Sequence, residues 1–356
     1  MAAAGCAASS IGSDRAEEPW VRPDKPRRPT VADVAQRAGT STAVVSYVLN
    51  DGPRPVSEST RSRVLAAIDE LAYRPSRSAR TLRSRHSQFI GLVMPGTIDP
   101  YYVELSLPIE QAAARRGHLV MIANSDFDPA QEVAITSALI DEGVPGIAIA
   151  GLGASPSLAR LIEASDVRVV FVHHRPEGYT GPLVAVDDRR WARHAVEHLI
   201  GHGHTRIACL GHHDDDGPVG ARVSGWRDAL SAAGLAHGDE LIIRSGVDRL
   251  SASAAAEHWL KERADVTAVF AATDELAFGL MHRAGVLGIA IPSELAVFGF
   301  DGVSAAATSV PELSTIVEPF ADIGERVAAL LFEERDDPKD HQLECRPVYR
   351  ASCGCR

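Results

Sequence analysis

Residues 30–50 read TVADVAQRAGTSTAVVSYVLN. The run opens on Thr30, an N-cap with Asp33 three residues on, where a negative charge suits a helix N-terminus. A first helix is predicted from Val31 to Ala38, a turn at Ala38-Gly39-Thr40, and a second helix from Ser41 to about Leu49. Two short helices joined by a glycine-bearing turn make a helix-turn-helix, whose second helix can enter a major groove. Val34, Ala35, Ala38, Val45, Val48 and Leu49 supply the small apolar contacts between the helices. Ser41, Thr42, Ala43, Ser46 and Tyr47 are then left to face outward. A third helix is predicted from Ser57 to about Leu71, with Val64, Leu65, Ile68 and Leu71 on one face. On spacing alone, a plain αα-hairpin and a DNA-binding unit both remain open.

Upstream, residues 1–29 lack apolar periodicity and are rich in Ala, Ser, Pro and charge, which predicts a disordered arm. Downstream of Phe89 the texture changes. FIGLVMP, HLVMIAN, GIAIAG, VRVVFVHH, LVAVD, RIACLG, DELIIRSG, AVFAAT and LAVFGFD are nine buried-strand candidates, separated by amphipathic stretches such as Trp191 to Ile200 and Val223 to Ala233. Strand-helix alternation predicts parallel sheets covered on both faces, and two successive sets predict two α/β lobes. Ligands of such sheets sit beyond the carboxyl ends of the strands.

Net charge over the 356 residues is −11, which taken whole speaks against a polyanion partner. The distribution reverses that reading. Residues 1–86 hold 14 basic and 9 acidic groups, whereas residues 87–356 hold 22 and 38. A basic end on an acidic body suggests a nucleic-acid module. No stretch approaches the roughly 20 apolar residues that a membrane-spanning helix needs. The N-terminal residues lack the basic and apolar regions of a secretory signal, so a cytosolic location is expected. Cys6, Cys209, Cys345, Cys353 and Cys355 are too scattered for a disulfide framework. Cys353-Gly-Cys355 has a chelating spacing but no second ligand cluster in sequence, so these are read as reduced thiols.

Beyond spacing, the chain resembles the lactose/galactose repressor family of bacterial transcription factors. The resemblance is carried by Thr30, Asp33-Val34-Ala35, Ala38-Gly39-Thr40-Ser41 and Val44-Val45-Ser46-Tyr47-Val48-Leu49-Asn50. It continues through Val56-Ser57, Thr60-Arg61, Val64, Ala67-Ile68, Leu71, Tyr73 and Pro75, and then lobe by lobe to the RASCG at 350–354. It implies an N-terminal all-α helix-turn-helix headpiece plus an α/β periplasmic-binding-protein-like body of two doubly wound parallel-sheet lobes. The implied boundaries are an arm at 1–29, a DNA-binding domain at 30–75, a hinge helix at 76–86 and a body at 87–356. Within the body, the first lobe spans about 87–186 plus 316–335 and the second about 187–315 plus 340–354.

The resemblance further implies that Thr42, Ala43 and Tyr47 read bases, while Thr30, Ser41, Ser46, Asn50 and Tyr73 hold phosphates. Where the family commonly carries Arg, this chain has Tyr47, so a bidentate Arg-to-guanine contact cannot form there. Read by composition, residues 76–86, SRSARTLRSRH, are a basic linker. By resemblance they fold on DNA into a hinge helix, with Leu82 as a minor-groove wedge and Ala79 as the small contact between paired helices.

For the body, the resemblance points to an effector cleft. Asp99-Pro100-Tyr101-Tyr102 stands where the family has N-P-F-F, and Arg222 in Arg222-Val-Ser-Gly225-Trp226 matches an R-x-x-G-[YW] pattern. His173 replaces an I-D-R type sequence, Thr273 replaces an Asn, and Asp274 and Asp301 complete the set. Asp274 could also cap a helix. Arg among carboxylates and rings suits a sugar or polyol, whose hydroxyls donate and accept. His202, His204, His212, His213 and Asp214 to Asp216 offer metal-binding atom types, but read more simply as a helix end and a surface loop. Gly151-Leu-Gly153 lacks the third glycine of a dinucleotide loop, and no nucleophile, base and oxyanion donor assemble from spacing. The expectation is a homodimeric, ligand-responsive repressor of a pseudo-palindromic operator, neither enzyme nor cofactor protein. A cytosolic sugar-binding protein without a DNA role is the alternative.

Overall fold

The capping chemistry of residues 30–50 is realised in the computed structural model. Thr30 N and Oγ1 both donate to the Asp33 carboxylate at 2.7 Å, and Asp33 N donates back to Thr30 Oγ1 at 3.4 Å, closing a capping box on α1 (Val31–Ala38). Ser41 Oγ accepts from Val44 N at 3.3 Å and so opens α2 (Thr42–Asn50), while Ser57 caps α3 (Glu58–Glu70). Val34, Ala35, Ala38, Val45, Val48, Val64, Ala67 and Tyr73 close the core between the three helices. Leu65 departs from expectation and is exposed, because the buried stripe of α3 runs through positions 64, 67, 68 and 71.

The structure describes residues 27, 29–50, 52, 54–74, 87–151, 155–213, 216–262, 265–333 and 340–355. The remainder of the arm, the hinge at 76–86 with Ala79 and Leu82, and the side chain of Asn50 lie outside the described residues. The chain divides at residues 84/85 into two units, each treated by itself.

Among the described residues the body contains two six-stranded sheets. The first comprises β1 (Phe89–Met94), β2 (Leu119–Asn124), β3 (Gly146–Ile149), β4 (Arg168–Val172), β5 (Leu183–Val186) and β11 (Asp340–Leu343), in the order β11-β5-β4-β3-β1-β2, all parallel. The second comprises β6 (Ile207–His212), β7 (Ile242–Ser245), β8 (Ala268–Ala271), β9 (Ala296–Asp301), β10 (Ser314–Val317) and β12 (Arg346–Val348), in the order β12-β10-β9-β8-β6-β7. Only β12 runs antiparallel in it.

The helices covering these sheets are α4 (Pro100–Arg115), α5 (Pro129–Asp141), α6 (Pro156–Glu163), α7 (Asp188–Gly201), α8 (Gly217–Ala232), α9 (Arg249–Glu262), α10 (Asp274–Leu287) and α11 (Phe320–Phe332). Two of them, α7 and α8, begin earlier than their apolar periodicity indicated.

Three strands, β10 to β12, were not anticipated, and they move the lobe boundaries. β10 pairs with β9 (Thr315 opposite Gly299), so the second lobe runs to Val317 and not to 315. β11 pairs with β5 (Asp340 opposite Leu183), so residues 340–343 belong to the first lobe. The sequence DHQL of β11 is polar and alternately exposed, an edge strand without the apolar run that marks a buried one. The reverse error concerns β2. Expected to be buried, LVMIAN is an edge strand with Leu119, Met121 and Ile122 exposed.

Candidate DNA interface and effector site

On α2 the residues left over by the headpiece core are the ones available to a groove. Ser41, Thr42 and Ala43 are exposed, and Ser46 and Tyr47 are half-buried. The Tyr47 ring lies against the backbone of Gly52, where a Cβ would come within 2.3 Å of Cδ1, so only glycine permits this placement. Two phosphate candidates are otherwise engaged. The Thr30 hydroxyl is held in the capping box, and Tyr73, 7% exposed, belongs to the core.

In the body, several of the expected residues stand at strand ends. Asp99 follows β1, His173 follows β4, Thr273 and Asp274 follow β8, and Asp301 ends β9. Arg222 comes from α8 and is 4% exposed, and a guanidinium that far from water needs a partner for each donor. It donates to Asp188 Oδ1 at 2.7 Å, Asp301 Oδ1 at 2.6 Å, Glu318 Oε1 at 2.9 Å and the Ala272 carbonyl at 2.9 Å, with its Cζ 3.7 Å from the centroid of the Phe300 ring. Burial alone would lower its pKa, but the three carboxylates hold it well above the usual value.

Asp188 and Glu318 went unnoticed in sequence. Each lies just past a strand where the chain crosses between lobes, Asp188 after β5 and Glu318 after β10, and for Glu318 the missing signal was that short strand.

A chain of hydrogen bonds extends this cage toward the first lobe. Tyr101 Oη donates to Glu318 Oε2 at 3.0 Å and meets His173 Nε2 on its other side. Burial lowers His173 to about 4, so the ring is neutral, and its Nδ1 is buried without a hydrogen-bond partner. Glu318 is pushed up to about 7 by burial against the pull of Arg222, and Asp99 to about 6 by burial. Tyr102 packs edge-on against Tyr101 at 5.1 Å.

The cap that Asp274 could have supplied comes from Thr273. Thr273 caps α10 by accepting from Leu276 N at 3.2 Å. Asp274, fully buried, accepts from Thr315 Oγ1 at 2.7 Å, Gly302 N at 2.8 Å and Val303 N at 3.0 Å, bracing the turn after β9. Burial and the neighbouring Asp301 raise its pKa well above the ordinary value, opposed by those three donors.

Comparison with known proteins places these features together. Residues 30–76 match the model of bacterial regulatory proteins of the lacI family, and residues 196–353 match a periplasmic binding protein-like domain. The chain is 33% identical over 300 residues to the HTH-type transcriptional regulator DegA of Bacillus subtilis (strain 168), covering 83% of this chain and 88% of that one. The chain belongs to the lacI family of bacterial regulatory proteins. A complex of the transcriptional regulator CelR with cellobiose is similar to this LacI-family regulator at a TM-score of 0.68 and 27% identity, over 91% of this chain and 100% of that one. The lac repressor dimer bound to operator and the anti-inducer ONPF shares the fold at a TM-score of 0.81 and 23% identity, over 92% of this chain and 99% of that one. Among the described residues, no helix of the regulator is long and apolar enough to cross a membrane.

Proposed function

We propose that this transcriptional regulator is a cytosolic homodimer that represses from a pseudo-palindromic operator and releases or tightens on it when a sugar or polyol binds between the lobes. The observation that supports this most is the pairing, in one chain, of a lacI-family headpiece with a two-lobed body whose strand ends surround Arg222. Thr42, Ala43 and Tyr47 are read as base contacts, and Ser41, Ser46 and Asn50 as phosphate contacts. Thr30 can serve a phosphate only through a hydroxyl it shares with Asp33. Leu82 and Ala79 remain the proposed hinge contacts.

The effector reading rests on Asp99, Tyr101, Tyr102 and His173 as the groups that meet ligand, backed by Arg222, Asp301 and Asp274. The buried, unpartnered His173 Nδ1 can accept a hydroxyl proton, Asp99 can accept another, and the half-buried Tyr102 ring can stack on a sugar's apolar face. A similar regulator binds cellobiose, which favours the same ligand class. Dimerisation is supported by apolar surface in two regions. The β2 edge exposes Leu119, Met121 and Ile122, and α4 exposes Val103 and Leu107. No chemical step belongs to this reading, so turnover of a bound sugar would count against it.

Selection of a bound sequence from random duplex DNA, followed by gel shift, tests the central claim. Enrichment of an inverted repeat bound at 1:1 dimer stoichiometry is expected. Failure to enrich any sequence, with sugars still raising the melting temperature, would leave the sugar-binding alternative.

A further inference from the structure

The tail that follows β12 folds back over the second lobe and brings two thiols to the C-terminal end of α7. Ser352 anchors it, its hydroxyl accepting from Ser314 N at 2.8 Å and donating to the Val297 carbonyl at 2.7 Å. Gly354 then turns the chain at φ +92°, a left-handed conformation that side chains resist, which returns Cys355 toward the same helix as Cys353. On α7, His198 and the capping residue His202 are four apart and share one face.

These elements converge on one point. Cys355 Sγ lies 3.5 Å from His198 Nε2 and 3.5 Å from His202 Nε2, and the three donor atoms fall within 4.8 Å of one another. Cys353 Sγ is 3.4 Å from the same His198 nitrogen, a fourth donor within reach. We propose that His198, His202 and Cys355, with Cys353 beside them, bind a zinc ion on the second lobe.

The spacing is the first argument. Tetrahedral zinc, with Zn–S of about 2.3 Å and Zn–N of about 2.0 Å, requires N···S edges of about 3.5 Å. The three N···S separations, 3.4 to 3.5 Å, match that edge.

Donor chemistry is the second. Thiolate and imidazole select zinc over the hard cations, which prefer oxygen.

The third is orientation. The His198 ring stacks on Tyr349 at 4.2 Å and 19°, and Tyr349 Oη meets His194 Nε2 at 3.0 Å, so a second layer holds the ligand ring. His202 is exposed and Cys355 half-buried, which leaves a path for the ion, whereas Cys353 is 1% exposed and sits at the base. An ion here ties the tail to α7, away from the Arg222 cage, and so fastens the segment that closes the second sheet.

Titration of the reduced, chelator-treated full-length protein with Co(II), then Zn(II), tests this. One Co(II) per chain is expected, with the strong visible bands of a tetrahedral site, a sulfur-to-metal charge-transfer band, and displacement by one equivalent of Zn(II). Cys355→Ser and His202→Ala should each weaken zinc binding by about 100-fold or more, since even outer-shell changes cost 10–100-fold. His204→Ala, whose ring pairs instead with Thr267 Oγ1 at 2.8 Å, should leave it unchanged. A pale octahedral Co(II) spectrum without charge transfer, or equal loss in all three variants, would overturn the assignment. Circular dichroism that matches wild type separates ligand loss from misfolding in Cys355→Ser, a near-isosteric change.

Discussion

At the residue scale, Arg222 is a keystone of the body. Four of its five N–H donors are engaged, and its removal leaves three buried carboxylates without a cation. Arg222→Ala is therefore expected to cost about 3–5 kcal/mol of body stability, the range for breaking a buried pair, with loss of effector response following from that. Urea denaturation of the body measures it. A cost below about 1 kcal/mol would mean that the carboxylates are relieved by protonation instead.

His173 carries a pH signature. Its folded pKa of about 4 lies below the unfolded value of about 6.5, so in that window the unfolded chain binds the extra proton. Stability contributed by the neutral ring is present above pH 6.5 and lost as pH falls toward 4, by about 3 kcal/mol at the limit. Asp99, raised to about 6 by burial, works in the opposite sense. The comparison with His173→Gln isolates the histidine: wild type should lose more stability than the variant as pH drops from 7 to 4.5, so its advantage narrows. An equal pH dependence in both proteins would remove the buried ring as its source.

At the element scale, α2 and its turn were legible because local chemistry specifies them. Thr30, Asp33, Ser41 and Ser57 act on backbone groups within three residues, and the apolar spacing on either side of Gly39 is the helix–helix contact itself. Leu65 was misread for the converse reason. Which apolar positions of a helix face inward depends on how three helices meet, not on its own neighbours. Ser41→Ala should lower headpiece stability by about 1 kcal/mol through loss of the cap. Operator affinity should fall further than that, because the same hydroxyl is proposed to meet a phosphate. Affinity tracking stability alone would deny it the second role.

The β2 edge supplies a test of assembly. Met121→Asp should shift the protein toward monomer in sedimentation while preserving its circular dichroism. An unchanged mass would place the dimer contact elsewhere. Leu82→Ala, in the proposed hinge, should weaken operator binding at least about tenfold and spare the sugar-induced melting shift.

At the scale of the whole molecule, the charge asymmetry carries a functional expectation. Residues 22–86 hold 13 basic and 6 acidic groups, against an acidic body. Operator affinity should therefore fall steeply with salt, log K declining linearly with log salt at about 0.9 per phosphate neutralised. A flat dependence would mean that the headpiece does not use its cations.

The headpiece, the alternation of strands and helices, the two-lobed plan and several residues around Arg222 are legible along the chain. Those features rest on interactions between near neighbours and on periodic burial, both of which one chain records in order. That Asp188 and Glu318 share Arg222, that β10 and β11 belong to opposite sheets, and that LVMIAN is an edge emerge only in the folded body. Folding also brought Cys355 to His198 across 157 residues. Such contacts form where the chain recrosses between lobes, and no local propensity encodes which distant strand a short polar segment will join.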